Sequence, residues 1–161
     1  MRLITLSALV AVAAPAAAQT MPPSLPFAPR GVDYVETVCT GGFDGRYEQV
    51  RVLASGRIAK VTRRAPEVKT ARASRGEVAR IMRELDIARF DRRTSSRLPR
   101  RIADGVECAL TRRQLGRTHS VTLQPEAASL PAWRDLFQVV EEVNALGRRA
   151  TGAILRPAGV R

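Results

Sequence analysis

Between Val32 and Val61 the chain is held to a strand, a glycine-rich turn and a hairpin. Val32–Cys39 alternates, placing Val35, Thr37 and Cys39 on one face and Tyr34, Glu36 and Val38 on the other. Thr40-Gly41-Gly42-Phe43-Asp44-Gly45 follows, with three glycines in six residues. Tyr47–Ala54 reads as a second strand, with Val50 and Val52 on one side and Leu53 on the other. Ser55-Gly56 is a two-residue hairpin signal, and Arg57–Thr62 returns as a third strand. The rest of the chain must cover this sheet.

Arg63–Ala73 reads as a basic connector interrupted by Pro66. Ser74 and Glu77 then form a capping box, Ser-x-x-Glu, before apolar residues at helical spacing: Val78, Ile81, Met82 and Leu85. Ile87 and Phe90 are expected to continue that packing. Asp91–Arg101 is a polar, basic loop. Val106–Thr111 is a fourth strand with Val106, Cys108 and Leu110 on one face. Gln114–Arg117, with Gly116, turns into a fifth strand, Thr118–Leu123, where His119, Val121 and Leu123 share a face. Ser129 is the N-cap candidate of a last helix with Pro131 in its first turn. Trp133, Leu136, Phe137, Val140 and Val143 form its stripe, and Gly147 is placed just past its end. The order is βββαββα, an α+β domain over 32–147 with an antiparallel sheet of about five strands and both helices on one face.

The flanks are of a different kind. Residues 1–18 combine Met1-Arg2, an apolar run and the small residues Ala16-Ala17-Ala18, the pattern of a signal peptide cleaved near Ala18. The apolar stretch is short against the ~20 residues of a membrane span, and no later stretch resembles a transmembrane segment. The expectation is a periplasmic or secreted protein. Residues 19–31 are a proline-rich arm, with Phe27 a candidate to pin its end, and residues 148–161 a basic tail. Export permits a disulfide between Cys39 and Cys108, the only cysteines. Its loop of about 70 residues would be worth about 4 kcal/mol in the chain-entropy model; two unpaired core thiols are the alternative.

Charge narrows the partners. The chain has 27 basic and 15 acidic residues, a formal net charge of +12, and all but Lys60 and Lys69 of the basic residues are arginine. The excess concentrates between Arg57 and Arg101, including Arg75, Arg80, Arg83, Arg89, Arg92, Arg93, Arg97, Arg100 and Arg101. Such a surface attracts anionic lipid, polysaccharide or an acidic protein face, or is simply solubilising. Nucleic acid is disfavoured: single-strand binders interleave aromatics for stacking, and this segment holds only Phe90, at core spacing.

No catalytic constellation is present. His119 is the only histidine, so a metal site would need mostly carboxylates. Nucleophile elbows, phosphate-binding glycine loops and His-Glu-x-x-His are missing from the sequence. Asp104 and Glu107 fall on opposite faces of a strand start, a poor acid–base pair. The expectation is a non-enzymatic, monomeric protein without metal or cofactor. What stands out is Thr40–Gly45. Either Phe43 folds back to cap the core, or it is an anchor displayed on a loop whose glycines let a partner's backbone approach closely.

Thr40-Gly41-Gly42-Phe43-Asp44-Gly45 after a first strand resembles the Ser-Gly-Gly-Phe-Ala-Gly stretch of the emfourin-like family of small exported bacterial proteins. The resemblance runs from about Val32 to Leu146: a hairpin, a helix ending in a segment that closes on Phe90, two strands and a closing helix. Threonine stands here for serine, a cysteine pair is added, and the connector before the first helix is longer and more basic. The resemblance implies inhibition of a thermolysin-like metalloprotease, with Thr40–Gly45 as the binding loop. The alternative is an envelope-associated basic protein that binds anionic lipid or polysaccharide.

Overall fold

The computed structural model describes residues 23–26, 28, 30–96 and 105–150. The signal-peptide reading, Phe27, Arg97, Arg100, Arg101, Asp104 and the tail beyond Ala150 lie outside them. The strands are β1 (Tyr34–Gly41), β2 (Arg46–Leu53), β3 (Arg57–Thr62), β4 (Lys69–Arg72), β5 (Val106–Gln114) and β6 (Arg117–Leu123). They form one antiparallel sheet in the order β4-β3-β2-β1-β5-β6. Helices α1 (Arg75–Ile87) and α2 (Pro131–Arg148) complete the α+β fold, with short 3-10 turns at Phe90–Arg92 and Pro125–Ser129.

The sheet has six strands, not about five, and the order is ββββαββα. The added strand, β4, lies in what reads as a basic connector. It is four residues long, has no fully buried residue and sits at the sheet edge. Short, cationic edge strands resist pairing with other chains, and the same features leave no hydrophobic period to read.

Alternation in β1 comes out as expected: Val35, Thr37 and Cys39 are buried. They lie under the two helices with Val50 and Val52 of β2, Ile58 of β3, Cys108 and Leu110 of β5, and Val121 and Leu123 of β6. Cys39 stands directly opposite Cys108 across β1 and β5, and the two form a disulfide. Helix α1 presents Val78, Ile81 and Leu85 to this core, and α2 presents Leu136, Val139, Val140, Val143 and Leu146. Some polar groups are admitted, each with a partner. Asn144 of α2 accepts a 2.7 Å hydrogen bond from the Thr37 hydroxyl and directs its amide nitrogen at Cys39 Sγ. The opposite face of the sheet is partly crossed by the N-terminal arm, where Leu25 N–H donates to Gln49 Oε1 and Pro26 O accepts from Arg51.

Capping of α1 matches its sequence. Glu77 N–H donates to Ser74 Oγ, and the Glu77 carboxylate accepts from Ser74 N–H. Glu77 also receives Arg149 at 2.6 Å, tying the start of α1 to the end of α2. The Ser74 backbone N–H bond, then Arg149, lowers the Glu77 carboxyl from 4.5 to about 2. Folded-state depression stabilises the fold above the ordinary value and is lost as pH falls through the lowered one. Glu77→Gln should therefore flatten the acid dependence of stability between the ordinary value and about 2, as read by denaturant unfolding across that window.

Three other expectations change. Helix α2 starts after Leu130 without a side-chain cap, because Ser129 Oγ donates back to Glu126 O. Ile87 is exposed rather than packed, while Phe90 is buried, because the chain leaves the helix at Ala88 and turns through Arg89 at φ 51°. Gly147 does not end α2 but lies within it, where a Cβ would sit 2.6 Å from Val50 Cγ2. Glycine lets the helix close on β2. Gly147→Ala, which helix propensity alone would favour by ~1 kcal/mol, should instead destabilise the protein by about 1–3 kcal/mol through overpacking, measured by urea unfolding.

Candidate binding hairpin

β1 and β2 pair as far as Gly41 opposite Arg46, leaving Gly42–Gly45 as the turn. Gly45 N–H donates to Gly42 O at 3.0 Å. Two glycines here answer a spatial demand. Gly41, at φ 112°, would place a Cβ 2.4 Å from Gly105 O, so the hairpin lies directly on the chain entering β5. At Gly45, φ 59°, a Cβ would meet the Arg63 guanidinium at 2.6 Å. Phe43 does not cap the core: it is 92% exposed.

The hairpin is braced on several sides. Cys39 and its disulfide precede it by one residue, and Gly41 pairs with Val106 as well as Arg46. On the β3 side, Arg63 N–H donates to Tyr47 O, and Arg64 reaches Asp44 Oδ2 at 3.2 Å. Asp44–Glu48 and Thr62–Arg64 thereby line a shallow groove beside Phe43. Glu48 is its buried end. Burial alone would raise the Glu48 carboxyl, but hydrogen bonds and charge from Lys60 and Arg46 outweigh it and hold the group below its ordinary value. The arrangement presents one aromatic ring on a fixed turn, with arginines at its base. Both carboxylates of the groove are ion-paired, Asp44 with Arg64 and Glu48 with Arg46 and Lys60.

The described arginines of the expected basic surface divide into tied and free. Arg93 bonds Ala88 O, Ala132 O and Asp135 and lies over the Trp133 ring, so it staples the end of α1 to the start of α2. Arg80 is held by Glu142 at 3.0 Å. Arg75, Arg83, Arg89 and Arg92 are exposed and make no ion pair among the described residues. His119 packs its ring edge-on against Phe90, with Nε2 2.9 Å from Arg93 O. Among the described residues no three His, Cys, Asp or Glu side chains come together as a metal site, and no helix is long and apolar enough to cross a membrane.

Sequence reading passed over Arg112. It is 4% exposed, on the core face of β5, above the Phe90 ring and paired with both Asp86 and Asp91. It also passed over Leu115, 87% exposed at the β5–β6 turn. A leucine before glycine in a two-residue hairpin, where Asn-Gly is favoured, was the available signal. Comparison with protein-family models and with curated proteins found no match for this chain.

Proposed function

We propose that the protein is an exported, non-enzymatic binding protein whose Thr40–Gly45 hairpin inhibits a thermolysin-like metalloprotease by occupying its cleft. The observation that carries this reading is Phe43. A ring 92% exposed on a turn braced by the sheet, the disulfide and the Arg63–Arg64 segment contributes nothing to the core. It has the form of an anchor held ready for a partner's pocket, and pre-organisation of that kind reduces the ordering cost of binding. The similarity of Thr40–Gly45 to the emfourin-like loop supports the same target class. The proline-rich arm, anchored on β2 through Gln49 and Arg51, is a second element available to the partner.

Steady-state titration of a thermolysin-like protease, following cleavage of a short peptide at moderate salt, tests the proposal. Saturable inhibition is expected. No inhibition at protein concentrations in the tens of micromolar, about −6 to −7 kcal/mol of binding, would overturn it.

A further inference from the structure

The end of the sheet opposite Phe43 carries a second surface. β5 and β6 are joined by Leu115-Gly116, at φ 50° and 78°, with Gln114 opposite Arg117. That is a two-residue turn with both central residues left-handed, a geometry that favours Asn-Gly or Asp-Gly and is costly for a leucine. Asp33 holds it by accepting a hydrogen bond from Leu115 N–H. The leucine serves neither the turn, which it strains, nor the core, which it does not reach. Strain maintained by its surroundings at an exposed residue points to function.

Leu115 has company. The groove beneath it shares Arg112 and Asp91 with the groove at the end of α1, which is lined by Asp86 and Arg89. Ile87 lies between those two in the chain, outside the lining, and is 75% exposed. Leu115 and Ile87 are the most exposed large aliphatic side chains among the described residues. Arginines surround both. Arg83 is one turn before Ile87 on the same helix face, Arg89 and Arg92 follow it, and Arg117 flanks Leu115; all four are exposed and unpaired among the described residues. Asp86 and Asp91, the nearby carboxylates, are both engaged by buried Arg112, and Asp33 is turned to the Leu115 N–H. Arg112 offsets one of the Asp86 and Asp91 carboxylates, so with Asp33 two negative charges stand against the four free arginines and the rim keeps a positive excess.

We infer that this end docks on an anionic phospholipid bilayer. Leu115 and Ile87 would enter the boundary between headgroups and acyl chains, while Arg83, Arg89, Arg92 and Arg117 lie on lipid phosphates. Exposed aliphatic side chains among free arginines, one on a hairpin turn and one at a helix end, suit that interface; protein interfaces instead centre on aromatic anchors seated in pockets. β1 runs from beside this surface to the Phe43 hairpin, and its eight residues span about 26 Å. A docked molecule would hold the hairpin away from the bilayer.

Sedimentation with unilamellar phosphatidylcholine vesicles, with or without phosphatidylglycerol, tests this without reference to any protease. Binding should require phosphatidylglycerol and weaken with salt. Leu115→Asn should keep or raise thermal stability, since Asn-Gly suits the turn, yet lower vesicle partition about tenfold. Neutralising Arg83, Arg89 or Arg117 with glutamine should lower it about fivefold per residue. Phe43→Ala should leave it unchanged. No preference for phosphatidylglycerol, or a Leu115→Asn variant that partitions like the parent, would overturn the inference. Binding to soluble polyglutamate with the same loss at Leu115→Asn would reassign the surface to an acidic polypeptide, and so overturn it as well.

Discussion

Replacing Phe43 with alanine should weaken inhibition of the target protease by about 100-fold or more while leaving the melting temperature within about 1 °C of the parent. The first figure is the ~3 kcal/mol lost when an aromatic anchor is truncated at an interface. The second follows from exposure: a ring 92% open to solvent has almost no packing to lose, and surface substitutions of that kind fall within about ±0.5 kcal/mol. Phe43→Leu should recover part of the affinity, because it restores apolar volume without the flat ring. Inhibition constants and thermal melts on the same preparations check both halves. A large drop in melting temperature would mean that the ring caps the core after all.

The second large effect concerns the bridge. Cys39→Ala with Cys108→Ala removes a crosslink with a sequence separation of 69, for which loop-closure entropy gives about 4 kcal/mol. At the entropy of unfolding expected for a domain of this size, that is a fall of roughly 10–20 °C in melting temperature. Asn144 adds to the loss, since its amide nitrogen faces Cys39 Sγ within the core. The inhibition constant should rise less steeply than stability falls, because Gly41 still pairs with both Arg46 and Val106 and keeps the hairpin in register. A double variant that melts like the parent would show that the bridge contributes nothing to the folded state's advantage.

Elements with a strong local period could be read directly from the chain. β1, the β2–β3 hairpin and the capping box of α1 all declare themselves within a few residues, since each depends on neighbours in sequence. The hairpin, though, turns through three residues, Ala54, Ser55 and Gly56, not the two read at Ser55-Gly56, because β2 already ends at Leu53 and Gly56 N–H closes on Leu53 O. Features set by distant partners could not. β4 exists because β3 offers it an edge, and its Lys69-Thr70-Ala71-Arg72 has no apolar alternation of its own. Gly147 looks like a helix terminator in isolation, yet its role is to clear Val50 on β2. Ile87 keeps the helical spacing of the core residues, but the chain departs at Ala88 and leaves it outside.

The candidate site divides the same way. Three glycines near an aromatic mark Thr40–Gly45 as a turn, but whether Phe43 folds inward depends on what surrounds it. Gly105 O under Gly41 and Arg63 beside Gly45 hold the backbone so that the ring projects. The arginines illustrate the converse. By composition they form one block, whereas the fold uses Arg93 and Arg80 as inter-element ties and leaves Arg83, Arg89 and Arg92 near the end of α1. Charge counted along the chain does not say which charges are already matched.

Competition decides whether the hairpin occupies the protease cleft. Binding of the protein to a thermolysin-like protease would be measured by calorimetry, with the cleft open and then filled by a small zinc-directed peptide inhibitor. If the Thr40–Gly45 hairpin enters the cleft, the filled protease should bind the protein at least about 100-fold more weakly, matching the loss of a dominant anchor. Equal binding to both forms would place the contact outside the cleft and rule out inhibition by the hairpin.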